Sequence, residues 1–159
     1  MKIFLPAILT SLVLACSCGS PTTINEPVTT PQTQGETTPI GTTGHSIVLL
    51  DGYKIENQAG GSFDVYYFKP IDTAMGESEA GIYFGPRPDT AAPAIEYSKK
   101  TYPGTFMGNA VTWTEYTTVK YTQREVFVDR GTEAKIHCWC YSHDPVVLEK
   151  LWGMVKTIK

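Results

Sequence analysis

The stretch QREVFVDRGTEAKIHCWCYSHDPVVLEKLWGMVKTI, residues 123–158, decides the fold, because its hydrophobic period changes partway along. Up to Tyr141 the chain reads in twos. Gln123–Asp129 and Lys135–Tyr141 are short runs rich in β-branched and aromatic residues, and Arg130-Gly131-Thr132 between them suits a hairpin. Beyond Asp144 it reads in threes and fours. Asp144 is a good N-cap, Pro145 belongs at the first helical position, and Leu148, Leu151, Trp152, Val155 and Ile158 form one apolar stripe. Glu149, Lys150 and Lys156 lie on the opposite side of that helix.

Working outward, the preceding residues carry further strand signals. Ser46–Leu50 is a short apolar run turned by Gly52, and Tyr53–Asn57 continues as a second strand. Gln58–Ser62 is a turn, and Phe63–Pro70 is aromatic and β-branched. Ala80–Gly85 is stopped by Pro86 and Pro88. Along Ala110–Tyr121, Val111, Trp113 and Glu115 point one way while Thr112, Thr114 and Tyr116 point the other. Residues 92–102 fit a short helix or an irregular connection. The expectation is an α+β domain: an antiparallel sheet of about six strands with a C-terminal amphipathic helix packed on one face. The order DGYKIENQ, FDVYYF, GIYFGPRPD, VTWTEY, REVFVD, KIHCWCYSHD is similar to the PsbP/Mog1-type fold. That fold hosts unrelated roles, so the resemblance implies an architecture and no activity.

The chemistry-bearing residues concentrate in KIHCWCYSHD, residues 135–144. On a strand, Ile136, Cys138 and Cys140 share one face, and Lys135, His137, Trp139 and Tyr141 share the other. His137 is thus turned away from both thiols, whereas a zinc site needs its ligands to converge on one ion. A Cys138–Cys140 bridge is disfavoured too. Their Cα atoms stand about 6.6 Å apart on a regular strand with parallel side chains, whereas a disulfide needs Cβ atoms about 3.8 Å apart. The two thiols therefore read as small core residues beneath the helix. The alternative is a redox or metal site made by Cys138 and Cys140 with His143, which lies past the strand end. His137, Trp139 and Tyr141 form either an exposed aromatic binding stripe or a surface covered by a loop such as 86–109. Arg87, held between Pro86 and Pro88, is a further candidate contact residue.

No enzyme pattern is met. Ser142-His143-Asp144 contains the residue types of a hydrolytic triad, but adjacent residues cannot form its chain of hydrogen bonds. Gly76–Ala80 approaches a nucleophile elbow yet precedes its strand. Gly60-Gly61 lacks the Gly-Lys-Ser/Thr ending of a phosphate loop. The sequence implies no catalytic residue and no cofactor.

The amino terminus supplies an address. Lys2 precedes an apolar run from Ile3 to Leu14, too short to span a bilayer, which takes about 20 residues. Val13-Leu14-Ala15-Cys16 resembles the lipobox of bacterial lipoproteins. The resemblance implies cleavage after residue 15 and lipidation of Cys16, which becomes a membrane anchor. Ser17 in the next position implies an outer-membrane destination, facing the periplasm or the cell surface.

Residues 17–44 hold nine Thr and four Pro among twenty-eight, with no aromatic, Lys or Arg. Such composition cannot offset the entropy of ordering, and residues 16–44 read as a lipidated cysteine on a tether of about 30 Å average span. Residues 45–159 contain all nine Tyr and all three Trp and read as one domain. Without the signal, 12 basic residues face 16 acidic ones, which argues against nucleic acid as a partner. The functional expectation is a non-enzymatic envelope lipoprotein that binds a protein or envelope component. The alternative is a thiol-redox or metal-handling lipoprotein.

Overall fold

The computed structural model describes residues 35–72, 78–86, 88, 92–131 and 135–159. The signal segment, Cys16 and Arg87 lie outside these residues. The described chain forms nine strands and one helix: β1 Glu36–Pro39, β2 Ser46–Leu49, β3 Tyr53–Ala59, β4 Asp64–Pro70, β5 Glu79–Gly85, β6 Tyr97–Phe106, β7 Asn109–Thr118, β8 Thr122–Asp129, β9 Lys135–Ser142 and α1 Pro145–Val155.

Seven strands make one antiparallel sheet in the order β3-β4-β5-β9-β8-β7-β6, and β1 pairs with β2 separately. The fold is therefore α+β, mostly β, with the helix on one face of the large sheet. Two strands were not expected. β6 takes up Tyr97–Tyr102 of the span 92–102, where a short helix or irregular connection was anticipated, and runs on to Phe106. It is an edge strand, mostly exposed, and carries Pro103 and Lys99-Lys100. An edge tolerates a residue that cannot donate to a ladder, and exposed lysines guard it from further pairing. β1 lies inside the expected tether, so among the described residues strand structure already occurs at Glu36, ahead of His45. Ile40, which follows β1, is fully buried in the core, and Ile40 N–H donates to His45 O at 2.8 Å.

The core lies between α1 and the sheet. Phe68, Ala80, Ile82, Val126, Ile136, Cys138 and Cys140 rise from the sheet to meet Leu148, Leu151, Trp152 and Val155. The helix starts where the sequence marks it: Asp144 Oδ1 accepts from Val146 N–H at 2.7 Å, and Pro145 opens the first turn. Such a cap contributes about 1 kcal/mol. The far end is tied down by β2, where Ser46 and Lys159 exchange two backbone hydrogen bonds. Among the described residues no helix is long and apolar enough to cross a membrane.

One charged group sits unexpectedly on the core side. Arg124, on β8, donates from Nε to Glu115 at 2.8 Å and from Nη2 to Glu149 of α1 at 2.7 Å, while its guanidinium lies 4.3 Å from the Trp152 ring centre. Glu149 is thus turned toward the sheet and clamps the helix to it.

Candidate functional site

The two faces of β9 have separate environments, and the candidate residues divide between them. Cys138 lies opposite Ile82 and Val126, and Cys140 opposite Ala80 and Arg124. Both thiols are free and fully buried. Burial pushes the Cys138 thiol well up, and it pushes the Cys140 thiol up to about 12. A thiol held protonated and away from solvent is neither a nucleophile nor a metal ligand. His143 is exposed beyond the end of β9. Its ring meets Tyr121, which in turn meets Tyr141 on the other face. The fold therefore separates His143 from the sulfurs. Among the described residues no group of three His, Cys, Asp or Glu side chains is placed to hold a metal.

His137, Trp139 and Tyr141 lie on the face opposite α1, and among the described residues no helix or strand packs over it. Within the span expected as a covering loop, Tyr97–Phe106 instead form β6, which turns into β7 at Asn109. The ladders fix the neighbours in rows. Trp139 is flanked by Gly81 and Glu125, with Tyr67 beyond Gly81. His137 is flanked by Tyr83 and Phe127, and Tyr141 by Glu79 and Gln123. Phe63 and Phe127 are exposed, while Tyr67, Tyr83, Trp139 and Tyr141 are half-buried.

His137 itself is not part of an exposed stripe, because it is only 4% accessible. Its ring stacks parallel to Phe127 at 4.2 Å, with Trp139 tilted on it at 5.2 Å. Its Nε2 lies 2.9 Å from Oε2 of Glu125, which is 2% accessible. The second oxygen, Oε1, accepts from Tyr116 O–H at 2.8 Å. The helix-free face thus contains a buried Tyr116–Glu125–His137 chain roofed by aromatic rings.

Sequence reasoning placed His137, Trp139 and Tyr141 together but missed Glu125 and Tyr116. The available signal was an acidic residue at an alternating position within QREVFVD.

Trp139 owes its posture to glycine. A Cβ on Gly81 would sit 2.4 Å from Cζ2, 2.8 Å from Cη2 and 2.9 Å from Cε2 of Trp139, so the indole lies over the bare backbone of β5. Tyr67 stands edge-on to it at 5.9 Å and 77°. Glu79 borders the same corner. Burial raises its carboxyl above the ordinary range, against the pull of Lys69 and of the Trp139 indole N–H. Lys69 lies 4.9 Å from the Tyr67 ring centre and 3.1 Å from Glu56, which also pairs with Lys54 at 2.7 Å.

Along the same face, β7 and β8 part company. Their ladder covers only Thr114–Thr117 against Thr122–Glu125. Beyond it opens a shallow cleft of about 500 Å³ between Asn109–Thr112 and Phe127–Asp129.

Compared with models of protein families, with curated proteins and with solved structures, the chain matches none of them.

Proposed function

We propose that this protein is a lipid-anchored envelope protein that works by binding, without catalysis, and that the helix-free face of its sheet is the binding surface. The observation that carries the reading is the concentration of partly exposed aromatic side chains on that face. Tyr67, Tyr83, Trp139 and Tyr141 are half-buried, and Phe63 and Phe127 are exposed beside them. Large amphipathic rings held on a rigid sheet give contact area at little entropic cost, which is why aromatic residues dominate recognition surfaces. The Tyr116–Glu125–His137 chain supports the reading as a positioning network, since both carboxylate oxygens are held and the neighbouring rings are stacked in place.

The anchor rests on the lipobox resemblance at Cys16. A single acyl chain binds a membrane marginally, whereas the two or more of a lipoprotein hold it stably. The thiol-redox alternative draws no support from Cys138 and Cys140, whose burial and raised pKa oppose it.

The reading is tested in cells with the full chain. A photo-crosslinking residue is placed at Phe127, on the helix-free face, or at Val146, exposed on the helix. Adducts from Phe127 and none from Val146 are expected. Fractionation with and without Cys16→Ala should show membrane retention only for the native cysteine. Absence of adducts at Phe127 would overturn the binding face, and membrane retention of the Cys16→Ala protein would overturn the anchor.

A further inference from the structure

We infer that the corner formed by Trp139, Gly81 and Tyr67 is a binding site for a neutral glycan, a β-1,4-linked chain of pyranose rings. The inference deepens the proposed binding function and rests on it.

Shape comes first. The indole of Trp139 lies over Gly81 because no Cβ lifts it, and the side chain stays partly exposed there as the floor of the corner. Tyr67 stands nearly perpendicular to it at 5.9 Å, as an upright wall. A flat aromatic floor with one wall matches a pyranose ring whose substituents are equatorial. Such a ring presents a sheet of axial C–H bonds to the floor and its hydroxyls outward around the rim.

The rim is the second observation. Glu56 and Glu79 supply two carboxylates, and Lys54 and Lys69 two ammonium groups, all on the same face of β3, β4 and β5. Their charges cancel, so the corner attracts neither a cation nor an anion. They also provide acceptors and donors side by side, which suits hydroxyl groups that need both. Lys69 already covers the Tyr67 ring at 4.9 Å, which removes that ring as a cage for a cationic ligand.

The same rim argues against a protein partner at this corner. Protein hot spots are fully desolvated pockets, and stripping water from four charged groups beneath a dry interface is costly. Sugar hydroxyls replace water's hydrogen bonds one for one and leave the charges solvated at their outer edges.

The test is a titration of the full lipidated chain in detergent with cellotetraose and with chitotetraose. Trp113 and Trp152 are buried, so a change in tryptophan emission on adding sugar reports Trp139. A saturable shift with protection from acrylamide quenching is expected, half-complete below about 1 mM for at least one of the two sugars. Gly81→Ala, which lifts the indole, should raise the half-saturation about tenfold. Calorimetry on Trp139→Ala, which lacks the reporter, should show no binding. Glu79→Gln keeps the floor and should weaken binding severalfold, measured from that variant's own free-protein emission because Glu79 is the partner of the Trp139 indole N–H.

Absence of a saturable response to both sugars, with crosslinks from Phe127 retained in cells, would overturn the glycan assignment and leave a protein partner on this face. Loss of both signals would overturn the binding face as well. Undiminished binding by Trp139→Ala would overturn the site.

Discussion

His137 and Glu125 are held 2.9 Å apart on the face of the sheet that carries no helix, and both are almost wholly buried there. Tyr116 O–H donates to the other oxygen of Glu125. Removing the Glu125 carboxyl takes away two buried hydrogen bonds, those to Tyr116 and to His137. Glu125→Ala is therefore expected to cost about 3 kcal/mol, and Tyr116→Phe about 1 kcal/mol, in urea denaturation followed by circular dichroism. A loss below about 0.5 kcal/mol for Glu125→Ala would show that the chain adds nothing to rigidity.

On the other face, Arg124 joins three elements through Glu115, Glu149 and Trp152. Its side chain is 8% accessible, whereas Glu149 is 37% accessible. Arg124→Ala is expected to cost about 3 kcal/mol, because it strands Glu115 and removes the cover from the indole. Glu149→Gln is expected to cost only about 1 kcal/mol, since water screens that partner. A double-mutant cycle across Arg124 and Glu149 measures the clamp directly. Zero coupling would place the Arg124 contribution in packing alone.

The two core thiols should be silent in the native state. A soluble disulfide reagent such as dithionitrobenzoate is expected to leave Cys138 and Cys140 unmodified for as long as the domain stays folded. Both should react on adding denaturant. Stoichiometric reaction without unfolding would restore the redox reading that their burial opposes.

The same thiols predict an alkaline weakness. The Cys140 pKa is about 12 when folded, against 9.0 as the ordinary value, and Cys138 is raised too. Raising the folded pKa means that the unfolded chain loses its proton first. Stability is full below about pH 9 and falls as pH rises toward 12. Between pH 8 and pH 10.5 the loss per thiol is on the order of 2 kcal/mol. Cys140→Ala should flatten the decline in denaturation midpoints measured under reductant. An equal decline in that variant would assign it to other groups.

Legibility followed the hydrophobic pattern. α1 was readable from Asp144, Pro145 and the apolar stripe because its cap and its period agree. β5, β7, β8 and β9 were readable because one side of each is buried in the core, which forces alternation. β6 was not, since an exposed edge strand has no face that must be apolar, and Pro103-Gly104 within it reads as a break. β1 was hidden because a four-residue Thr/Pro strand has the composition of a tether, and only the burial of Ile40 marks its attachment. The partition of β9 into a sulfur face and an aromatic face needed only a period of two. Pairing of His137 with Glu125 needed the register that sets Phe127 opposite His137, and nothing local in sequence fixes that. Trp139 lying over Gly81 needed the pairing of β5 with β9, whose residues are far apart in the chain.

The most direct measurement compares thiol labelling of two single-cysteine probes in the isolated envelope and in the purified protein. Cys138 and Cys140 are buried, and Cys18 is replaced by Ser, so the background is low. Tyr141→Cys reports the helix-free face and Val146→Cys the exposed side of α1. If the face is occupied in its native setting, a maleimide should label Tyr141→Cys at least about fivefold more slowly in the envelope than after purification, with Val146→Cys unchanged. Equal rates for Tyr141→Cys in both settings would contradict the account, because the face would then stand open where it is supposed to work.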